Sequence, residues 1–197
     1  EEVIGIRGSS SGSLKDFGVG YRQVDLIDSR VDFDGLKKAI DSSVKAVLIQ
    51  RSKGYDWRDS FSVDYIGEII SFVKSVNKDI ICIVDNCYGE FVEEEEPKGD
   101  LLVGSLIKNA GGGLATSGGY ICGTQKCVDR CAYRLSAPGL GQEVGANLGL
   151  MPALYQGFFL AQNDAIHGLT ADFYSVQNLL LQFSIHGLPQ IFADAGP

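Results

Sequence analysis

The chain has 197 residues, 45% of them hydrophobic and 21% charged, which is enough to bury the core of one ordinary domain. Its formal net charge of -8 and pI near 4.7 argue against nucleic acid or an anionic membrane surface as the main partner, although backbone N–H groups can still hold a phosphate. No apolar run reaches the roughly eighteen residues of a membrane span and no signal peptide is visible, so a cytoplasmic location is expected.

The chain begins at Glu1 and its only methionine is Met151, which reads as an excerpt of a longer or processed protein. EVIGIR, near the start, reads as a strand, followed by the glycine-serine turn GSSSGS. YRQVDLI is strand-like, and DFDGLKKAI is a short helix with Asp32 or Asp34 as its N-cap. KAVLIQ is a continuous apolar run, as expected of a strand covered on both faces. Val63, Ile66, Ile69, Ile70 and Val73 then recur at helical spacing, with Ser62 as the cap. DIICIVD and DLLVGSLI are further buried-strand runs, separated by VEEEEP, which reads as a solvated acidic turn. GGYICGT is a fourth, shorter strand, too close behind DLLVGSLI for a helical crossover, so an antiparallel pairing or an irregular loop is expected there. KCVDRCAYRL and EVGANLGLMPALYQGFFLA read as helices, the second kinked or broken near Pro152. This alternation predicts an α/β fold, a three-layer sandwich around a mostly parallel sheet.

The five cysteines form no C-x-x-C pair, and both histidines lie far from them, so buried reduced thiols are expected and a zinc site is not. Two constellations could carry chemistry. Gly8-Ser9-Ser10-Ser11-Gly12 matches G-x-S-x-G, and Ser10, Asp85 and then His167 or His186 follow the chain order of an α/β-hydrolase. The elbow needs a helix directly after it, and SLKDFGVGY is a poor one, so a flexible turn is the preferred reading. The second pairs Asp85, at the end of IICIVD, with Lys108, just beyond the end of LLVGSLI. In an open parallel sheet, ligands bind outside the carboxyl ends of the strands, so these charges would share one crevice. Ser105, three residues before Lys108, could reach the same place, and Gly111, Gly112 and Gly113 would let backbone approach a ligand. A lysine in a partly dry crevice has a lowered pKa and attacks aldehydes, and a carboxylate beside it suits a pyridinium nitrogen. That is the arrangement of a pyridoxal phosphate site.

VDNCYGEF followed by GDLLVGSLIKNAGGGLATSGGYICG resembles the aspartate-aminotransferase-fold enzymes of cysteine and methionine metabolism. More narrowly, with IRGSSSGSLKDFG, VLIQRSKGYDWR and AYRLSAPGLGQEVGANLG, it is similar to the aluminium resistance protein family, itself like methionine gamma-lyase. The resemblance implies that residues 1–160 are a partial cofactor-binding large domain of the pyridoxal-phosphate-dependent transferase fold. Residues 161–197 do not share it and form a tail. It also implies Lys108 as the Schiff-base lysine, Asp85 as partner of the pyridine nitrogen and Ser105 as a phosphate ligand. The expected reaction is β- or γ-elimination with carbon–sulfur cleavage of a small amino acid, in a homodimer or homotetramer. Ile107 stands where the broader group has a phosphate-binding threonine, and the turn RSKGYDW replaces an asparagine-containing one, leaving Arg51 and Tyr55 as residues that face a ligand or serve the structure. After Arg134 there is no arginine for a substrate carboxylate. A non-catalytic binding or interaction domain that keeps the fold is therefore the alternative.

Overall fold

The computed structural model describes residues 12–135 and 149–168, the side chains of 162–168 excepted. The chain forms two compact units, one ending at Ser43 and the other starting at Val44.

In the first unit a 3₁₀ turn, Leu14–Phe17, stops at Gly18, whose φ of 77° needs no Cβ to be accommodated. Of the strand predicted over YRQVDLI only Leu26–Ile27 (β1) is paired, antiparallel to Arg30–Val31 (β2). Asp28 and Ser29 between them both have positive φ, as a two-residue hairpin loop demands. Helix α1, Phe33–Ala39, is capped by Asp32, whose carboxylate accepts the Gly35 N–H at 2.9 Å.

The second unit is α/β. Its sheet has the order β3 (Ala46–Gln50), β4 (Ile81–Asp85), β5 (Leu101–Ser105), β6 (Gly119–Gly123). The first two pairings are parallel and the last antiparallel, as the short link before GGYICGT requires. Strand alternation sorts the side chains onto two faces. One carries Ile49, Cys82, Val84, Leu102, Tyr120 and Cys122, all buried. On the other, Ile81, Ile83, Leu101, Val103 and Ile121 pack against Cys127, Val128 and Cys131 of α3, Gln125–Leu135. Helix α2, Val63–Val76, is capped by Ser62, whose hydroxyl accepts the Tyr65 N–H at 3.2 Å, and buries Tyr65, Ile66, Ile69 and Val73. Cys82 and Cys122 are buried free thiols.

The break expected near Pro152 is present: Gly149 and Leu150 are not helical, α4 runs over Met151–Gly168, and Pro152 sits in its first turn, where a missing N–H costs no helical bond. Two expectations are corrected. β3 is the edge of the described sheet and is covered on one face only: Ala46, Leu48 and Gln50 are exposed. The acidic turn is not merely solvated. Glu93 and Glu96 both grip Arg51, whose side chain is 2% exposed.

Candidate active site

β4 and β5 run parallel with Asp85 opposite Val103. Ser105 lies two residues further along β5, so alternation puts the Asp85 and Ser105 side chains on the same face at the carboxyl ends of neighbouring strands. One carboxylate oxygen of Asp85 accepts the N–H of Cys87 at 3.0 Å, which closes the polar turn after β4. The Ser105 hydroxyl oxygen accepts the Ile107 N–H at 3.3 Å, and the Lys108 N–H reaches the Ser105 carbonyl at 3.4 Å. The chain thus reverses directly beyond β5, and Lys108 is delivered back toward Asp85 at the start of a 3₁₀ turn, Asn109–Gly111.

The Lys108 ammonium stands 4.6 Å from the centroid of the Tyr88 ring. The Cys87 thiol interacts with both the Asp85 carboxylate and the Lys108 amine. Burial alone pushes the Lys108 pKa down, but Cys87, Tyr88 and Asp85 together outweigh it and raise it above the ordinary lysine value. The expected lowering is therefore corrected: three electron-rich groups crowd an amine that is only half-buried. Burial, helped by Asp85, pushes the Cys87 thiol up, so it remains protonated at neutral pH.

The glycines behind the lysine have another role than the one expected. A Cβ on Gly112 would strike the carbonyl of Gly157 in α4, and one on Gly157 would strike the carbonyl of Gly111. What approaches this backbone is a helix, docked through three glycines. Phe158, next to Gly157, packs edge-on against Phe91 at 5.5 Å between ring centroids. α4 therefore buttresses the turn that carries Lys108 and also the turn that follows Asp85.

Asp85, Ser105 and Lys108 come together. Arg51 does not join them: it points to the opposite face and is buried. Tyr55 is fully exposed. Ser10 and His186 lie outside the described residues, as does the His167 side chain. Sequence reasoning missed Cys87 and Tyr88 as neighbours of the lysine. Their position two and three residues past Asp85 was a usable signal, but Tyr88 turns toward Lys108 only because its φ is 69°, which no composition rule foresees.

The sequence model of methionine gamma-lyase matches residues 1–194. The chain belongs to the methionine gamma-lyase family. Within this family it is 53% identical over 166 residues to the Bacillus subtilis (strain 168) protein YnbB, covering 82% of this chain and 39% of that protein. A solved structure from Listeria innocua, described as a "putative cystathionine beta-lyase involved in aluminum resistance", superposes with a TM-score of 0.80 at 50% identity, over 83% of this chain and 41% of that one. A "carbon-sulfur lyase involved in aluminum resistance" from Clostridium novyi superposes with a TM-score of 0.77 at 46% identity, over 85% and 41%. The aluminium resistance branch of the methionine gamma-lyase family is thus the group to which this chain is similar, and the chain spans about two fifths of the length of these relatives. No helix among the described residues is long and apolar enough to cross a membrane.

Proposed function

We propose that the full-length protein is a pyridoxal-phosphate-dependent carbon–sulfur lyase acting on a small sulfur-containing amino acid. The described sheet would then belong to the three-layer large domain of the transferase fold. The observation that carries this reading is the meeting of Lys108 and Asp85 at the carboxyl ends of adjacent parallel strands, with Cys87 interacting with both. The donor set fits the cofactor. Lys108 offers a primary amine to an aldehyde, and Asp85 keeps a carboxylate oxygen for a pyridinium N–H, its other oxygen being engaged by Cys87. The Ser105 oxygen already accepts a hydrogen bond, which leaves its hydroxyl proton free to donate to a phosphate oxygen.

When bound, the cofactor supplies an electron sink for charge developing at the substrate α-carbon. Lys108 would hold it covalently and, once displaced by substrate, accept the α-proton. The setting of Lys108 suits that second task, because the Asp85 carboxylate and the face of the Tyr88 ring, 4.6 Å away, favour the ammonium form that results. The reading also carries a cytoplasmic location, where the five free thiols stay reduced, and a homodimer or homotetramer.

The test uses the full-length parent with pyridoxal phosphate. A visible band that borohydride fixes onto Lys108 by peptide mapping, and that Lys108→Ala lacks, is the expected result. Pyruvate released from cystathionine would mark β-elimination and 2-oxobutyrate would mark γ-elimination. Absence of the band, or a label on another lysine, would sink the proposal.

A further inference from the structure

Behind Asp85, on the opposite face of the sheet, lies a buried polar cluster that the proposed reaction does not use. Arg51 donates from Nη1 to the Asn86 side-chain oxygen at 2.7 Å and to Glu96 at 3.0 Å, and from Nη2 to Glu93 at 2.7 Å. The Asn86 amide donates to Glu96 at 2.9 Å and to the Tyr120 hydroxyl at 3.1 Å. Tyr120 in turn donates to Glu90 at 2.9 Å. Arg51, Asn86, Glu90 and Tyr120 are all buried, and the second oxygen of Glu90 has no hydrogen-bond partner among the described residues.

Such a cluster is a poor device for stability alone. Two carboxyl groups, Glu93 and Glu96, share one guanidinium while Glu90 meets only the Tyr120 hydroxyl, and desolvating such charges costs about as much as their attraction returns. Space has nevertheless been cleared for it. A Cβ at Gly89 would lie 2.5 Å from Arg51 Cδ, and one at Gly104 would enter the Tyr120 ring.

Its geometry points at Asp85. The backbone N–H of Arg51 donates to the Asp85 carbonyl at 3.0 Å, and that of Asn86 donates to the Val103 carbonyl at 2.8 Å. The Asn86 side chain is fixed by three partners and is 1% exposed. With residue 86 locked on one face, alternation obliges Asp85 to project from the other, toward Lys108. Glu96 also accepts the Phe91 N–H at 2.8 Å, and Glu93 accepts the N–H of Val63 at 3.0 Å, so the acidic turn ties the end of β4 to the start of α2.

We infer that Tyr120, Glu96 and Arg51 are positioning residues: through Asn86 they hold the Asp85 carboxylate in the register that the site requires. This rests on the cofactor reading for what Asp85 does, but not for how it is held.

The test compares the full-length parent with Tyr120→Phe, which keeps the ring against Gly104 and removes only the hydroxyl, and with Glu96→Gln, which keeps the shape and removes the charge. Two readouts are independent of turnover. In the protein without cofactor, amide hydrogen exchange across residues 84–89 should quicken severalfold in both variants. In the loaded protein, borohydride should still fix the label onto Lys108, while the pH midpoint of the visible band moves. For kinetics, kcat should fall by about tenfold with KM little changed, as for a displacement smaller than the roughly 1 Å that costs about a hundredfold. Unchanged exchange, midpoint and kcat, with only a lower melting temperature, would overturn the inference and leave the cluster a structural one. Failure of the parent itself to show a Lys108 label would instead overturn the cofactor reading, while the exchange result would still decide whether residues 85 and 86 are held in this way.

Discussion

One substitution made at two glycines tests whether α4 truly docks backbone to backbone. Gly67 lies exposed in α2, and a methyl placed on it would meet nothing within 4 Å. Gly67→Ala should therefore collect the ordinary helix-propensity gain of about 1 kcal/mol. Gly157→Ala offers the same gain, but its methyl would enter the Gly111 carbonyl and lie 3.4 Å from Leu114 Cβ. The obstacle is backbone, which cannot rotate away as a side chain would, so the upper part of the roughly 1–3 kcal/mol overpacking range applies. The clash wins, and a net loss of about 1–2 kcal/mol is expected. Urea unfolding of the full-length parent should give midpoints displaced in opposite directions at an unchanged m value. Gly111 donates its N–H to the Lys108 carbonyl at 2.9 Å, so Gly157→Ala should also weaken borohydride capture at Lys108, whereas Gly67→Ala should not. Midpoints shifted in the same direction would refute the docking argument.

Asp85→Asn should keep the borohydride label on Lys108 yet lower kcat by about two orders of magnitude, as loss of an electrostatic stabiliser does; near-parental kcat would remove Asp85 from the reaction. Burial raises the Asp100 pKa, but the Cys82 N–H at 2.8 Å and the Lys74 ammonium at 2.6 Å outweigh it and hold the carboxyl below its ordinary range. Its contribution is thus present above the unfolded value of 3.8 and lost as pH falls through the lower folded value, and Asp100→Asn should flatten an acid-unfolding curve there. Glu90 has the opposite sign. Burial raises its pKa, so its stabilisation is complete below the unfolded value of 4.5 and lost as pH rises through the folded one; Glu90→Gln should narrow the gap in stability between acid and neutral pH. Ser62→Ala should cost about 1 kcal/mol in the same urea assay through the lost α2 cap.

The elements most legible in the sequence were those with a local physical cause. The Asp32 and Ser62 caps, the helical stripe of α2 and the short β5–β6 link each depend on residues a few positions apart. Asp85 and Lys108 could be paired in advance because strand ends in a parallel sheet converge by topology. What was not legible depends on partners distant in sequence. VEEEEP reads as solvent-facing until Arg51, more than forty residues earlier, is seen between Glu93 and Glu96. The glycine run reads as room for a ligand until Gly157 arrives against it. The lysine shift is set against burial first by Cys87 and then by Tyr88, the latter in a left-handed backbone conformation, and no side-chain inventory contains that information.

The fit between Gly104 and Tyr120 has a consequence for how this family can vary over time. The tyrosine ring occupies the volume that any side chain at position 104 would need. Neither position can drift by itself: an alanine at 104 is tolerable only where 120 has already shrunk, and a shrunken 120 abandons Asn86. The two residues, facing each other across β5 and β6, should therefore be inherited together, with exchanges at one recording the history of the other.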